Sequence, residues 1–160
     1  MRVAVFGLAA MVASFACGAS LELTSQARLI ETDIIEDQIV AWSTSLNNRQ
    51  IDSVLAMYEQ SDRLIAIWPG GERAVGAEAN RQVVSDFYST IQFMSFNPQS
   101  VTVQVLNAGA AVASFRFSMD IVLNDTRRDP YAGQATLVWG RAADTEPWRI
   151  VVQQLSRNPY

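Results

Sequence analysis

Few side chains in this 160-residue sequence can carry proton-transfer or nucleophilic chemistry. It contains no histidine, and all 12 of its basic residues are arginines. The absence of histidine excludes Ser-His-Asp and Cys-His catalysis and the usual zinc site. The absence of lysine excludes a Schiff base and a phosphate-loop lysine. Asp, Glu and Tyr remain as acids and bases, with Arg as a clamp for anions.

Three residues are candidates for acid–base catalysis: Asp120, Asp62 and Tyr58. Asp120 lies in the middle of a predicted strand, and burial raises the pKa of a carboxyl group toward the range that a general base needs. Asp120 shares a strand face with Arg116. The alternative to catalysis is therefore an Asp120–Arg116 ion pair on a sheet face that is exposed to solvent or that forms a dimer. Asp62 opens a predicted strand, where charged residues are common. Tyr58 could donate a hydrogen bond to a ligand oxygen in a cavity.

Several aromatic side chains and one amide are candidates for the wall of an apolar binding cavity. They are Trp42, Tyr58, Trp68, Phe87, Trp139 and Gln154. Aromatic residues at helix or strand spacing are often core residues, so core packing is the alternative for them. Strict alternation in the last strand places Gln154 on the side of Trp148, either as a polar anchor or as a strand-end amide bonded to water. The scattered acids do not indicate a metal site, and no cofactor is predicted.

The charge and composition of the chain limit the classes of partner that it can bind. A formal net charge of −4 argues against nucleic acid and against electrostatic docking to anionic lipid. With 49% hydrophobic residues, a chain of this length can bury the core of one domain. The composition therefore favours one globular domain and disfavours nucleic acid and anionic lipid as partners.

The first residues have the pattern of an export signal. Arg2 precedes a charge-free run up to Ala16, which suits a signal-peptide core and is short for a bilayer span. The residues around Cys17 resemble a bacterial lipobox, in which the cysteine is acylated; ordinary cleavage after Ala16 or Ala19 is the alternative. We expect a signal peptide over 1–19, a linker over 20–31 and a domain over 32–158. The protein would be periplasmic or secreted, with no membrane span, and lipid-anchored if Cys17 is acylated.

Hydrophobic periodicity predicts three helices and five strands. The first helix runs from about Thr32 to Asn47 with Thr32 or Asp33 as N-cap, and a short second helix ends near Tyr58. A strand over 62–68 and a third helix from Ala77 follow. Four strands then alternate with period two, over 101–105, 111–123, 134–141 and 148–156. This order indicates an α+β domain with its helices on one face of an antiparallel sheet.

Short motifs occur in a fixed order along these elements, namely Ala41-Trp42, Trp68-Pro69-Gly70-Gly71, Leu137-Val138-Trp139-Gly140-Arg141 and Trp148-Arg149-Ile150-Val151. Over roughly 33–158 the chain resembles the nuclear transport factor 2-like superfamily, and within it the SnoaL-like proteins. The resemblance implies a cone-shaped roll, with three helices packed on a curved, mainly antiparallel sheet. In such proteins the cone often holds a small apolar ligand and the outer sheet face often forms a dimer. Many relatives have a histidine where this chain has Gln154, so imidazole chemistry does not carry over.

Three functions fit these observations. The first is an exported protein that binds a small apolar or amphipathic molecule in its cone, as a homodimer in which Arg116 and Asp120 pair across the two-fold axis. The second is an enzyme that resembles isomerases or polyketide cyclases, with Asp120 or Asp62 as base and Tyr58 or Gln154 stabilising an enolate. The third is a non-catalytic dimerisation module with a filled cone. An open cavity without an inward acid would favour the first.

Overall fold

The computed structural model describes residues 23–158. In chain order the elements are α1 (Ser25–Asn47), α2 (Ile51–Leu55), β1 (Ile65–Ile67), β2 (Arg73–Val75), α3 (Ala77–Thr90), β3 (Ile91–Asn107), β4 (Ala110–Leu123), β5 (Tyr131–Gly140) and β6 (Arg149–Arg157). The predicted signal peptide and lipobox, with Cys17, lie outside the described residues.

The strands form one sheet in the order β2-β1-β6-β5-β4-β3. Neighbours pair antiparallel except β1 and β6, which are parallel. The predicted α+β class, with three helices on a mainly antiparallel sheet, is confirmed. β3 has one extra residue opposite β4 between Gln99 and Thr102, with Ser100 at φ 55°, and a bulge of this kind bends and twists its strand.

The predictions for β3 and β2 were wrong. β3 begins at Ile91, although the sequence indicated a start near Val101, because Asn97-Pro98 has the composition of a strand breaker. Pro98 is tolerated because β3 is an edge strand that pairs only with β4. The second error was the omission of β2, whose three residues are too few to show a periodicity.

The start of α1 also differs from the prediction. The helix begins at Ser25, not near Thr32, and its N-cap is Thr24, whose hydroxyl accepts from the Ala27 amide at 3.1 Å. Much of the predicted linker is therefore helical. Polar contacts hold these first turns in place; for example, the Arg28 guanidinium donates to the Val105 carbonyl at 2.7 Å. Because such contacts need no stripe of apolar residues, the hydrophobic periodicity did not indicate this part of the helix.

A second polar contact fixes the N-terminal half of α1 to the β5–β6 end of the sheet. The Glu31 carboxylate accepts from Arg141 Nη2 at 2.7 Å and from Trp148 Nε1 at 2.8 Å. The Arg141 guanidinium also lies 4.3 Å from the Trp148 ring centroid. Burial alone would raise the pKa of the Glu31 carboxyl. The two hydrogen bonds and the charge of Arg141 outweigh burial, so this pKa lies below its ordinary value of 4.5.

Replacing Glu31 by glutamine should destabilise the fold by about 2 kcal/mol at neutral pH, because it leaves the buried Arg141 guanidinium without its counter-charge. Since folding lowers the pKa of Glu31, its contribution is complete above the unfolded-state pKa and disappears as the pH falls through the folded-state pKa. Urea unfolding of wild type and Glu31→Gln at several pH values measures this. The difference in unfolding free energy should be largest near pH 7 and shrink below about pH 4. A difference in unfolding free energy that stays constant with pH would contradict the predicted role of the Glu31 carboxylate.

The core lies between the helices and the concave face of the sheet. Trp42 of α1 packs edge-on against Phe96 of β3, whose ring stacks on Phe117 of β4 at 4.9 Å. Phe117 pairs in register with Gly133 of β5, and a Cβ at this glycine would overlap the Phe117 ring and the Ser156 carbonyl. The close approach of ring and backbone therefore requires glycine at this position.

Candidate functional site

A cavity of about 420 Å³ opens between α3, the β1–β2 turn and the concave sheet face. The cone is therefore not filled by its own side chains. Helical spacing on α3 turns Val83, Val84 and Phe87 toward the cavity. The remaining apolar wall comes chiefly from α1 and the sheet, through Leu46, Met94, Phe96, Ile121, Leu123 and Leu155.

The polar end of the cavity is built from β4, β5, β6 and the loop before β5. Arg157 Nη2 lies 2.8 Å from Asp129 Oδ1, and the same guanidinium lies 3.8 Å from the Tyr131 ring centroid. The Tyr131 hydroxyl donates to the Met119 sulfur at 2.7 Å. A thioether is a weak acceptor, so a ligand oxygen could take over this hydrogen bond.

The Tyr131 hydroxyl is a donor throughout the physiological range. Burial raises its pKa to about 12, the positive charge of Arg157 opposes that rise, and Asp129 and Glu72 add to it. A neutral tyrosine presents a proton to a carbonyl, ether or hydroxyl oxygen. This end of the cavity can therefore orient an apolar molecule by its oxygen.

Three carboxylates line the cavity: two lie at its mouth and the third forms an ion pair. Glu72 and Asp86 are exposed, and Asp129 is half-buried and paired with Arg157. Among the described lining residues, no carboxylate is fully buried inside the cavity. The interior therefore lacks the isolated inward acid that general-base catalysis in an apolar site would use.

Two of the predicted wall residues, Trp68 and Phe87, line this cavity. Three others, Trp42, Tyr58 and Trp139, are 0% exposed and belong to the core beside it. These three match the core-packing alternative, in which aromatic side chains at regular spacing are structural. The structure thus brings together only part of the predicted wall.

The prediction that Gln154 shares the side of Trp148 was wrong. In the register of β5 and β6, Val138 pairs with Val152 and Trp139 with Ile150, so β6 carries one extra residue, Val151. This bulge reverses the alternation beyond it. Gln153 is therefore 0% exposed and faces the core. Gln154 is exposed on the outer sheet face.

Gln153 ends a buried chain of hydrogen bonds that the sequence did not reveal. Trp42 Nε1 donates to the Tyr58 hydroxyl at 3.2 Å, and that hydroxyl donates to Gln153 Oε1. Burial raises the pKa of Tyr58 well above its ordinary value of 10, and the hydrogen bond from Trp42 only partly offsets this. Tyr58 is therefore a neutral structural link between α1 and β6.

The two candidate bases lie away from the cavity. Asp120 is paired with Arg128, not with Arg116, whose Nη2 donates to Ser100 Oγ at 3.1 Å. Asp62 is exposed. Neither residue lines the cavity.

Sequence reasoning missed the residues at the polar end, Asp129, Tyr131 and Arg157. Asp129 lies in the segment 124–130, which the sequence indicated as a polar loop, and Tyr131 lies before the predicted strand start at Gln134, whereas β5 begins at Tyr131. The alternation of Tyr131 with Gly133 and Ala135 was the available signal for the longer strand. Nothing local indicated that Arg157 would stack on Tyr131.

No group of three or more His, Cys, Asp or Glu side chains within 23–158 is placed to hold a metal ion. None of the helices in this part of the chain combines the length and apolar character needed to cross a membrane.

A family model described as the SnoaL-like domain matches residues 35–160. The chain belongs to the SnoaL-like domain family. No curated protein matches the chain significantly. The family assignment agrees with the cone-shaped roll described above.

Solved structures share the fold of this SnoaL-like protein at low sequence identity. A ketosteroid isomerase-like protein from Erwinia carotovora atroseptica is 23% identical, with a TM-score of 0.69 over 81% of this chain and 98% of the other. A nuclear transport factor 2-like superfamily protein from Salmonella enterica serovar Typhimurium is 21% identical, with a TM-score of 0.68 over 79% and 89%. A hexachlorocyclohexane dehydrochlorinase is 12% identical, with a TM-score of 0.72 over 82% and 87%. These likenesses confirm the nuclear transport factor 2-like fold.

Proposed function

We propose that this SnoaL-like protein binds a small apolar or amphipathic molecule in the 420 Å³ cavity. The observation that carries the proposal is an open cavity with an apolar interior and a single polar end. Its volume lies in the range of about 300–1,000 Å³ that is typical of small-molecule sites. The apolar body of the ligand would contact Phe87, Met94 and Ile121, and an oxygen would accept from Tyr131.

The apolar wall supplies the affinity and the polar end supplies the orientation. Removing ligand surface from water against such a wall contributes roughly 25 cal/mol per Å² before the entropy cost of binding. The Arg157 guanidinium is paired with Asp129, so the polar end does not present an uncompensated positive charge. The two exposed carboxylates at the mouth, Glu72 and Asp86, disfavour an anionic ligand.

The enzymatic alternative has less support from the geometry. Isomerase-like and dehydrochlorinase proteins share the fold, but fold alone does not carry a reaction to this chain. Asp120 and Asp62 lie outside the cavity, and the Tyr58 hydroxyl is bonded to Gln153. The Gln154 amide, the other group considered for an enolate, is exposed on the outer face.

We also propose that the protein is exported, which rests on the apolar run before Ala16, and that it dimerises through its outer sheet face. That face carries exposed polar residues such as Arg116, Gln134 and Gln154, which can hydrogen-bond across a two-fold interface. Intact mass of the protein from its native host, under native and denaturing conditions, tests both. A dimer mass and loss of the first 16 to 19 residues are expected, with added lipid if Cys17 is acylated. A full-length monomer would overturn both.

Ligand binding is tested by titrating the purified protein with N-phenylnaphthylamine, a neutral apolar probe whose fluorescence rises in a dry site. We expect saturable binding of one probe per chain, with a dissociation constant of about 1–100 μM. Native mass spectrometry of the same sample should show the one-to-one complex. Fluorescence that rises linearly without saturation, together with an unliganded mass, would contradict the proposal.

A further inference from the structure

A second, smaller pocket of about 150 Å³ lies at the N-terminal end of α3, apart from the main cavity. The first turn of α3 forms one side of it, and the segment that leads from α2 toward β1 forms the other. Its lining residues are Leu55, Tyr58, Gln60, Leu64, Ala77, Glu78, Asn80 and Arg81. None of them lines the main cavity.

The first turn of α3 has no side-chain cap. The N-cap residue is Gly76, at φ 88°, which has no side chain to accept from the helix. The Ala77 amide donates to the Ser61 carbonyl at 3.0 Å and the Asn80 amide to the Gly76 carbonyl at 3.1 Å. Among the described residues, the amides of Glu78 and Ala79 have no acceptor. Two backbone donors and the positive end of the helix dipole are therefore available at this turn.

The side chain of Asn80 supplies an independent observation. It is 0% exposed, and its Oδ1 accepts from Trp68 Nε1 at 3.0 Å. This bond directs the oxygen toward Trp68 and leaves Nδ2 buried without a partner among the described residues. A buried amide donor without an acceptor is destabilising, because it has lost its hydrogen bonds to water without gaining a partner. Asn80 thus presents a donor, at the edge of the pocket, that an acceptor oxygen would satisfy.

The lining of the pocket carries one cationic residue, Arg81, and one acidic residue, Glu78. The Arg81 guanidinium lines the pocket and is paired at 3.1 Å with Asp52, whose side chain is 93% exposed. An exposed pair of this kind is weak, so Arg81 can turn to another carboxylate at little cost. The opposing charge is Glu78, an exposed residue whose carboxylate can extend into solvent.

We propose that this pocket binds a small carboxylate, with one oxygen accepting from Asn80 Nδ2 and the other from the uncapped first turn of α3, while Arg81 pairs with its charge. A volume of 150 Å³ accommodates a carboxylic acid with a short chain, whose carbons would contact Leu55 and Leu64. An anion at a helix N-terminus gains both the free amides and the helix dipole. Because Asn80 also bonds Trp68, occupancy should be detectable at the Trp68 indole.

The test is a titration of the ¹⁵N-labelled full chain with acetate, followed by NMR at constant ionic strength. We expect saturable shifts of the Asn80 side-chain amide, the Glu78 and Ala79 backbone amides and the Trp68 indole, at millimolar acetate. Acetamide has nearly the same shape without the charge and should bind at least about tenfold more weakly. Chloride at the same ionic strength should give no saturable shift.

Two exposed positions provide matched variants that leave the core unchanged. Glu78→Gln removes the opposing charge and should tighten acetate binding by about threefold, whereas Arg81→Gln should weaken it by at least about threefold. Asp37→Asn, which removes one exposed charge on α1 away from both pockets, should have no effect. Equal shifts with acetate and acetamide would refute the carboxylate specificity. Absence of saturable shifts, or the same affinity in the Glu78 and Arg81 variants, would refute the site.

Discussion

Replacing Val83 by tryptophan should lower the affinity for N-phenylnaphthylamine by about 30-fold or more, which corresponds to roughly 2 kcal/mol. Val83 is half-buried on α3 and lines the main cavity. An indole at this position would extend into the space that the probe must occupy, and the open cavity can accept it without displacing the packed core. The unfolding free energy should therefore change by less than about 1 kcal/mol. Fluorescence titration and urea unfolding measure the two effects.

The control for this variant is Ser85→Trp. Ser85 is exposed on the same helix and does not line the cavity, so the substitution adds the same indole outside it. Ser85→Trp should bind the probe as the wild type does. If Val83→Trp retained full affinity while Ser85→Trp lost it, the binding site would lie elsewhere on α3 and the proposal would fail.

Gln153→Ala should destabilise the fold by about 3 kcal/mol, whereas Gln154→Ala should change the unfolding free energy by less than about 0.5 kcal/mol. The two amides are adjacent on β6, but only Gln153 is buried and accepts from the Tyr58 hydroxyl. Its removal leaves a small cavity and a buried hydroxyl with no acceptor. Urea unfolding measures both variants under the same conditions.

A double-mutant cycle with Tyr58→Phe separates the hydrogen bond from the packing. If the bond contributes as the structure indicates, Gln153→Ala should cost about 1 kcal/mol less in the Tyr58→Phe background than in the wild type. Equal effects of Gln153→Ala and Gln154→Ala would show that the bulge in β6 is placed wrongly. Additive effects in the cycle would show that Tyr58 and Gln153 do not interact.

The class of the fold could be predicted because it depends on patterns that repeat along the chain. The stripe of Ile35, Ile39, Trp42 and Leu46 identified α1, and period two identified β4 to β6. Features that depend on one or two residues could not be predicted from the sequence. The extra residue in β6, Val151, leaves no mark on the apolar pattern, yet it exchanges the roles of Gln153 and Gln154. The helical turns from Ser25 to Glu31 depend on distant partners such as Arg141.

The candidate site was harder to predict than the fold for the same reason. Trp68 and Phe87 were among the aromatic residues predicted to form the wall of an apolar cavity, but the sequence did not distinguish them from the three that belong to the core. The polar end could not be predicted, since Asp129, Tyr131 and Arg157 meet only after β5 and β6 pair. The second pocket depends on Asn80, a buried polar residue of α3. From the sequence alone, Asn80 was only one of the residues that could occupy the buried side of this helix.

The most direct test of the proposed binding site is NMR of the protein with ¹³C-labelled methionine methyl groups during a titration with N-phenylnaphthylamine. Met94 and Met119 line the main cavity, whereas Met57 does not. We expect the Met94 and Met119 methyl signals to shift with the probe and to show nuclear Overhauser contacts to its rings, and the Met57 signal to stay in place. Saturable fluorescence with unchanged Met94 and Met119 signals would contradict binding in the cone.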